Sequence, residues 1–217
     1  MNDWSWEYVG DVMPQLLHGL RITVEATVLG SLVAFGLGLV WAVALRSPTR
    51  LVTWPVGLFV EFVRNTPLLV QLFFLFFVLP SWGIGFGALT TGVIGLGLHY
   101  STYTAEVYRA GIEAVPEGQW EAATALSLPR GRTWIAVILP QAFRRAVPAL
   151  GNYVIAMFKD TPMLSAITVS DMLFEANSIG ATTFDYMEPI TVVGVLFIVI
   201  SYPTSVLLRV LERRLVH

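Results

Sequence analysis

The chain contains no cysteine and one lysine, and only 13% of its 217 residues are charged. Without cysteine there is no disulfide framework and no thiolate metal site. The single lysine, in "MFKDTP", leaves no Gly-Lys-Ser/Thr phosphate loop, so ATP cannot be held by that route. The three histidines, His18, His99 and His217, are scattered and make no HExxH, and Gly-x-Ser-x-Gly is absent. No nucleophile–base pair stands out, which argues against an enzyme. The shortage of charge also excludes an ordinary soluble domain, which needs a charged exterior to stay dispersed. A mean hydropathy of +0.69, with 55% hydrophobic and 12% aromatic residues, points to the membrane instead. The start, "MNDWSWEYVGD", has no Lys or Arg and does not match a cleaved signal, so the first membrane segment is expected to be retained.

What is present is a series of apolar runs. Roughly 20 apolar residues at 1.5 Å per residue cross a hydrocarbon core of about 30 Å. Residues 22–45, 54–79, 88–108, 146–169 and 190–208 meet that length, which predicts five transmembrane helices in one all-α domain spanning residues 1–217. The short-loop Lys/Arg bias sets orientation. Arg46, Arg50, Arg109, Arg130, Arg132, Arg144, Arg145, Arg209, Arg213 and Arg214 share one side if the helices alternate. The other side holds Asp3, Glu7, Asp11, Asp171, Glu175, Asp185 and Glu188. The N-terminus is therefore expected outside and the C-terminus in the cytoplasm.

Segment one spaces Gly30, Ala34, Gly38 and Ala42 four apart, a stripe that lets a second backbone approach closely. Segment three sets His99, Thr102, Tyr103 and Glu106 on one face. Ionisable groups at membrane depth usually face a cavity or a partner; the plainer alternatives are a structural hydrogen bond for His99 and an ion pair with Arg109 for Glu106. Segments two and four are interrupted by "RNTPLLVQ" and "FKDTP". Proline removes a backbone donor and clashes with the preceding turn, and broken helices recur where transporters hold solute. Lys159 and Asp160 alternatively neutralise each other or their neighbours as structural glue. Asn65, Thr66, Gln71, His99, Tyr103, Asn152, Lys159, Asp160 and Thr161 are the candidate pathway residues.

A polar stretch between segments three and four, about residues 112–147, breaks the apolar rule. "PEGQWEAATALSL" opens with Pro116–Glu117, continues with helix-forming alanine and leucine, and stops at Pro129–Arg130–Gly131. The prediction is a short cytoplasmic helix offering Glu121, Ala122 and Ala123 to a partner. An interfacial helix lying on lipid would instead carry basic residues on its polar face, whereas Glu117 and Glu121 are acidic.

"EAATALSLPRGRTWIAVILP" resembles the EAA loop of ABC-importer permeases, with Glu121, Ala122, Ala123, Leu139 and Pro140 on the pattern. Ser127 stands where glycine is usual and Val137 where isoleucine is usual. "RNTPLLVQ", "AEVYRAGIEAVPEGQWEAA" and "FKDTPMLSAI" further resemble the polar amino-acid uptake branch, and "GLHYSTYTAEVYRAGIEAVPEGQWEAATAL" is similar to permeases for ectoine and hydroxyectoine. The resemblance implies a pathway built by two permease subunits, identical or sister. It implies a separate pair of ATPase subunits, with ATP and Mg held there and no cofactor in this chain, receiving Gly118, Glu121, Ala122, Ala123 and Ser127. It also implies an extracytoplasmic binding protein that delivers the solute, a setting in the inner membrane, and no nucleic-acid partner. A secondary transporter or channel subunit is the competing class; five crossings without an internal repeat fit it poorly.

Overall fold

A computed structural model describes residues 4–216; Asp3 and His217 lie outside the described residues. The described residues form helices and no strand. Helix α1 (Trp6–Leu45) begins where Ser5 accepts a hydrogen bond from the Tyr8 amide and Glu7 favours the positive helix end. At 40 residues it is about 60 Å long, roughly twice a hydrocarbon core. It starts well before the apolar run at Ile22 because Val9, Val12 and Leu16 bury against later helices.

After α2 (Arg50–Asn65) the chain turns by 106° into α3 (Leu68–Phe73), which continues through a π turn and a 3₁₀ turn to Trp82. The run from Trp54 to Leu79, expected as one crossing, is thus sharply bent. Pro67 is the cause: it disfavours helical backbone at the residue before it, and Thr66 takes the extended values φ −97° and ψ 133°. Next come α4 (Ala88–Glu113), α5 (Glu117–Ala125), the short α6 (Arg130–Arg132) with a following π turn, and α7 (Leu139–Asp160). Beyond Asp160 the helix tightens into a 3₁₀ segment, Thr161–Ile167, rather than unwinding. Pro162, in the first turn of that segment, has no N–H to donate back to α7, and Thr161 Oγ1 donates to the Phe158 carbonyl in its place. Helices α8 (Met172–Thr183) and α9 (Met187–Val216) complete the chain.

Among the described residues, α1 and α9 are long and apolar enough to cross a membrane, and the bent α2–α3 pair supplies a third candidate. Helix α7 falls short of that apolarity because it carries Arg144, Arg145, Lys159 and Asp160, and α4 falls short because it lies between α1 and α7. Its buried face is small and polar (Gly92, Gly95, Ser101, Thr102, Thr104) rather than a coat for lipid. The small-residue stripe of α1 meets this face within the same subunit. A Cβ on Gly38 would collide with the Thr104 side chain, and Thr104 Oγ1 donates to the Ala34 carbonyl at 2.8 Å. The central core joins Ala26, Ala34, Leu72, Leu96, Met157 and Leu164. A second core packs the start of α1 against α8 and α9.

Candidate functional site

The bend between α2 and α3 exposes helix-end carbonyls, and polar side chains gather to satisfy them. Asn65 Nδ2 donates to the Glu61 carbonyl and Thr66 Oγ1 to the Phe62 carbonyl, each at 2.7 Å. Gln71 reaches back across the bend, its Nε2 lying 2.7 Å from the Val63 carbonyl and 2.9 Å from that of Thr66. The same nitrogen is 3.1 Å from His99 Nδ1. An amide nitrogen carries two protons, and the Val63 carbonyl, the Thr66 carbonyl and His99 Nδ1 share them. Gln71 Oε1 is buried with no hydrogen-bond partner among the described residues. Gln71 is therefore a bolt across the bend as well as an open acceptor.

Around this bolt α4 and α7 assemble an aromatic wall. His99 lies 5.5 Å from Tyr100 and 5.3 Å from Tyr103, ring centroid to centroid. Tyr153 of α7 closes the group at 6.1 Å from Tyr100 and 5.7 Å from Tyr103. Such rings give a solute flat apolar faces and polar edges together. Tyr100 donates its hydroxyl proton to Asp160 Oδ2 at 2.6 Å. Arg64, in the last turn of α2, faces Glu106 at 3.8 Å, and Glu106 is held more closely by Arg109 at 2.7 Å.

Of the pathway residues expected from sequence, Gln71, His99, Tyr103 and Asp160 converge here. Asn65 and Thr66 border the cluster but spend their polar atoms on their own helix. Thr161 is fully buried and donates to the Phe158 carbonyl, a local cap. Asn152 is exposed, away from the hydrogen bonds of the cluster. Lys159 and Asp160 do not neutralise each other: Lys159 is exposed and forms no ion pair among the described residues, while Asp160 is held by Tyr100. Successive helical residues point about 100° apart, so neighbours in sequence are not neighbours in space. Tyr100, Tyr153 and Arg64 were missed as site residues. Tyr100 stands next to His99 and three residues before Tyr103, which was the available signal.

The loop between α4 and α7 is ordered around a second small core of Val115, Ile138 and Ala142, with Trp120 stacked edge-on against Trp134 at 5.1 Å. Helix α5 turns Gly118, Glu121 and Ala122 outward, whereas Ala123, expected on the offered surface, is only 3% exposed. Ala123 lies three residues after Trp120 and so shares the inward face. The helix ends in a Schellman motif: the Leu128 amide donates to the Ala123 carbonyl and the Ser127 amide to that of Thr124. That motif requires a left-handed residue, and Ser127 occupies it at φ 52°. Glycine fits there without strain, which is the physical reason for the usual glycine of the EAA pattern. Beside α5 lies a surface pocket of 470 Å³ whose charged lining is Glu113, Glu117, Glu121 and Arg46.

Comparison with known proteins agrees with this architecture. Residues 13–217 match the model of the family described as binding-protein-dependent transport system inner membrane component. The chain is 48% identical over 201 residues, 93% of its length and 87% of the relative's, to the probable amino-acid ABC transporter permease protein y4tG of Sinorhizobium fredii. It is 36% identical over 203 residues, again 93% and 87%, to the L-cystine transport system permease protein TcyB of Bacillus subtilis. In structure it superposes with a TM-score of 0.92 and 33% identity on a chain of the crystal structure of an amino acid ABC transporter with histidines, covering 98% of this chain and 100% of that one. The chain belongs to the binding-protein-dependent transport system inner membrane components and, within them, to the ABC-importer permeases of the polar amino-acid branch, whose ATP hydrolysis resides in a separate subunit.

Proposed function

We propose that this chain conducts a polar, zwitterionic amino acid or amino-acid-like compatible solute, of the ectoine or hydroxyectoine kind, inward across the inner membrane. The observation that carries the reading is the cluster at the bent helix: an open amide oxygen on Gln71, the His99 imidazole, three tyrosine rings and the Arg64–Glu106 pair. A zwitterion presents an ammonium and a carboxylate, and needs both acceptors and donors beside a shaped apolar wall. The permease relatives named for amino acids support the same solute class. In this reading Asn65, Thr66, Gln71, His99, Tyr103, Asn152, Lys159, Asp160 and Thr161 border the route, joined by Tyr100 and Tyr153.

The polypeptide acts as one domain, residues 1–217, with five crossings, its N-terminus outside and its C-terminus cytoplasmic. Two such subunits, identical or sister, form the pathway. The loop of about residues 112–147 carries α5 as the coupling helix, whose Gly118, Glu121 and Ala122 meet a groove of the ATPase dimer, with Ala123 and Ser127 shaping it from behind. An extracytoplasmic binding protein supplies the solute. A secondary transporter needs no ATPase, so uptake into proteoliposomes with and without the ATPase subunits separates the two; ATP-independent uptake would sink the importer reading. A His99→Leu complex is expected to assemble normally yet take up solute roughly tenfold more slowly, since losing one hydrogen bond to a charged group costs about 1.5–3 kcal/mol and each 1.4 kcal/mol is about tenfold. Normal uptake by that variant would return His99 to a structural role.

A further inference from the structure

We propose that Arg109 is a positioning residue that transmits docking at the coupling helix to the bend between α2 and α3 through a ladder of shared ion pairs. This rests on α5 being the coupling helix. The Arg109 guanidinium is divided between two carboxylates. Its Nε and Nη2 lie 3.0 and 2.7 Å from Glu106 Oε2, and its Nη1 lies 2.8 and 2.9 Å from the two oxygens of Glu113. The remaining Glu106 oxygen, Oε1, faces Arg64 Nη1 at 3.8 Å. Arg64 is the penultimate residue of α2, directly before the bend, and its carbonyl is also within 3.5 Å of the Tyr103 hydroxyl. At the other end Glu113 lines the pocket beside α5, where Arg46 is the only cation among three carboxylates. One row of alternating charge thus runs from the coupling helix to the aromatic cluster.

The four side chains are 38–54% exposed, and pairs so exposed contribute little to stability. That weakness makes the ladder easy to rearrange. The pocket's acidic excess favours a basic side chain from a docking partner. Such a cation competes with Arg109 for Glu113. Once released, the Arg109 fork closes on both oxygens of Glu106, the geometry a guanidinium prefers. Oε1 is then occupied, and Arg64 loses its partner at the bend. Docking therefore liberates a cation beside the pathway, some 50 residues away along the chain.

The native chain lacks cysteine, so one introduced thiol is the single label site on this subunit, read from its own band after the subunits are separated. Leu69, just past the bend and 37% exposed, is the position for a Leu69→Cys reporter. In the assembled complex with its ATPase, a non-hydrolysable ATP analogue is expected to change the rate of maleimide labelling at that thiol at least threefold. Arg109→Lys keeps the charge but lacks the planar fork that spans two carboxylates. It is expected to abolish the labelling change and to lower the ratio of solute-stimulated to basal ATP hydrolysis at least threefold. Glu113→Gln, which removes the cytoplasmic rung alone, is expected to do the same. A merely structural Arg109 would be rescued by lysine. A parent complex that couples, with an Arg109→Lys complex that couples equally and keeps the labelling change, would overturn the ladder alone. A parent that never assembles with the ATPase would overturn the coupling-helix reading and the ladder with it.

Discussion

Ser127 carries a left-handed backbone that only glycine adopts without strain, at φ 52°. A left-handed non-glycine residue costs roughly 1–2 kcal/mol. Ser127→Gly is therefore expected to stabilise the end of α5 by about 1 kcal/mol with uptake retained, read as slower hydrogen exchange of the Ser127 and Leu128 amides. Faster exchange would show that the serine was not strained. Asp171 is a second residue with a measurable signature. It caps α8, outside the apolar runs, accepting from the Phe174 amide at 2.8 Å. Burial first, and then the nearby Glu175 charge, push its carboxyl up to about 7, against the pull of the Phe174 and Leu173 amides. Its ordinary value is about 3.9. Between those values the folded chain binds more protons than the unfolded one, so stability falls as pH rises through the window and levels off above it. The limiting slope for one group is about 1.4 kcal/mol per pH unit. Asp171→Asn keeps an equally good cap and is expected to flatten that slope. Thermal midpoints of parent and variant from pH 4 to 8 decide it: parallel curves would place the proton elsewhere.

At the scale of elements, α5 separates two alanines that look interchangeable in sequence. Ala122 is exposed and Ala123 is buried under the loop core. Ala122→Trp is expected to leave the subunit's yield unchanged and to reduce its copurification with the ATPase by tenfold or more. Ala123→Trp is expected to lower the yield of the subunit itself, because overpacking a filled site forces backbone shifts costing typically 1–3 kcal/mol. Equal behaviour of the two would mean that α5 docks by another face. The α2–α3 bend follows similar logic. Pro67 dictates a break from sequence alone, but the bolt that holds it, Gln71 against the Val63 and Thr66 carbonyls, depends on where a later helix places His99.

At the scale of the molecule, apolar side chains such as Leu32, Val43, Phe62, Ile198 and Leu207 are more than 60% exposed. A chain with that exterior belongs in lipid or against a second copy, as a membrane permease subunit requires. The orientation is tested by reporters: one fused after His217 is expected in the cytoplasm, one placed between Ser178 and Phe184 outside. Two reporters on the same side would break the five-crossing topology.

Sequence alone determined the all-helical membrane character, the small-residue stripe of α1, the helix beginning at Glu117 and the breaks at Pro67 and near Pro162. Each follows from local rules: apolar length, close-packing residues, helix propensity and proline's missing donor. The permease family was also legible, because "EAATALSLPRGRTWIAVILP" and its companion motifs are contiguous. Only the tertiary structure decided which side chains meet. It joined Tyr100 to Asp160 across 60 residues, turned Lys159 away from its neighbour, buried Ala123 and divided Arg109 between two carboxylates. Those outcomes depend on how helices rotate about their axes and against one another, and a step of about 100° per residue separates neighbours in sequence while packing unites residues far apart.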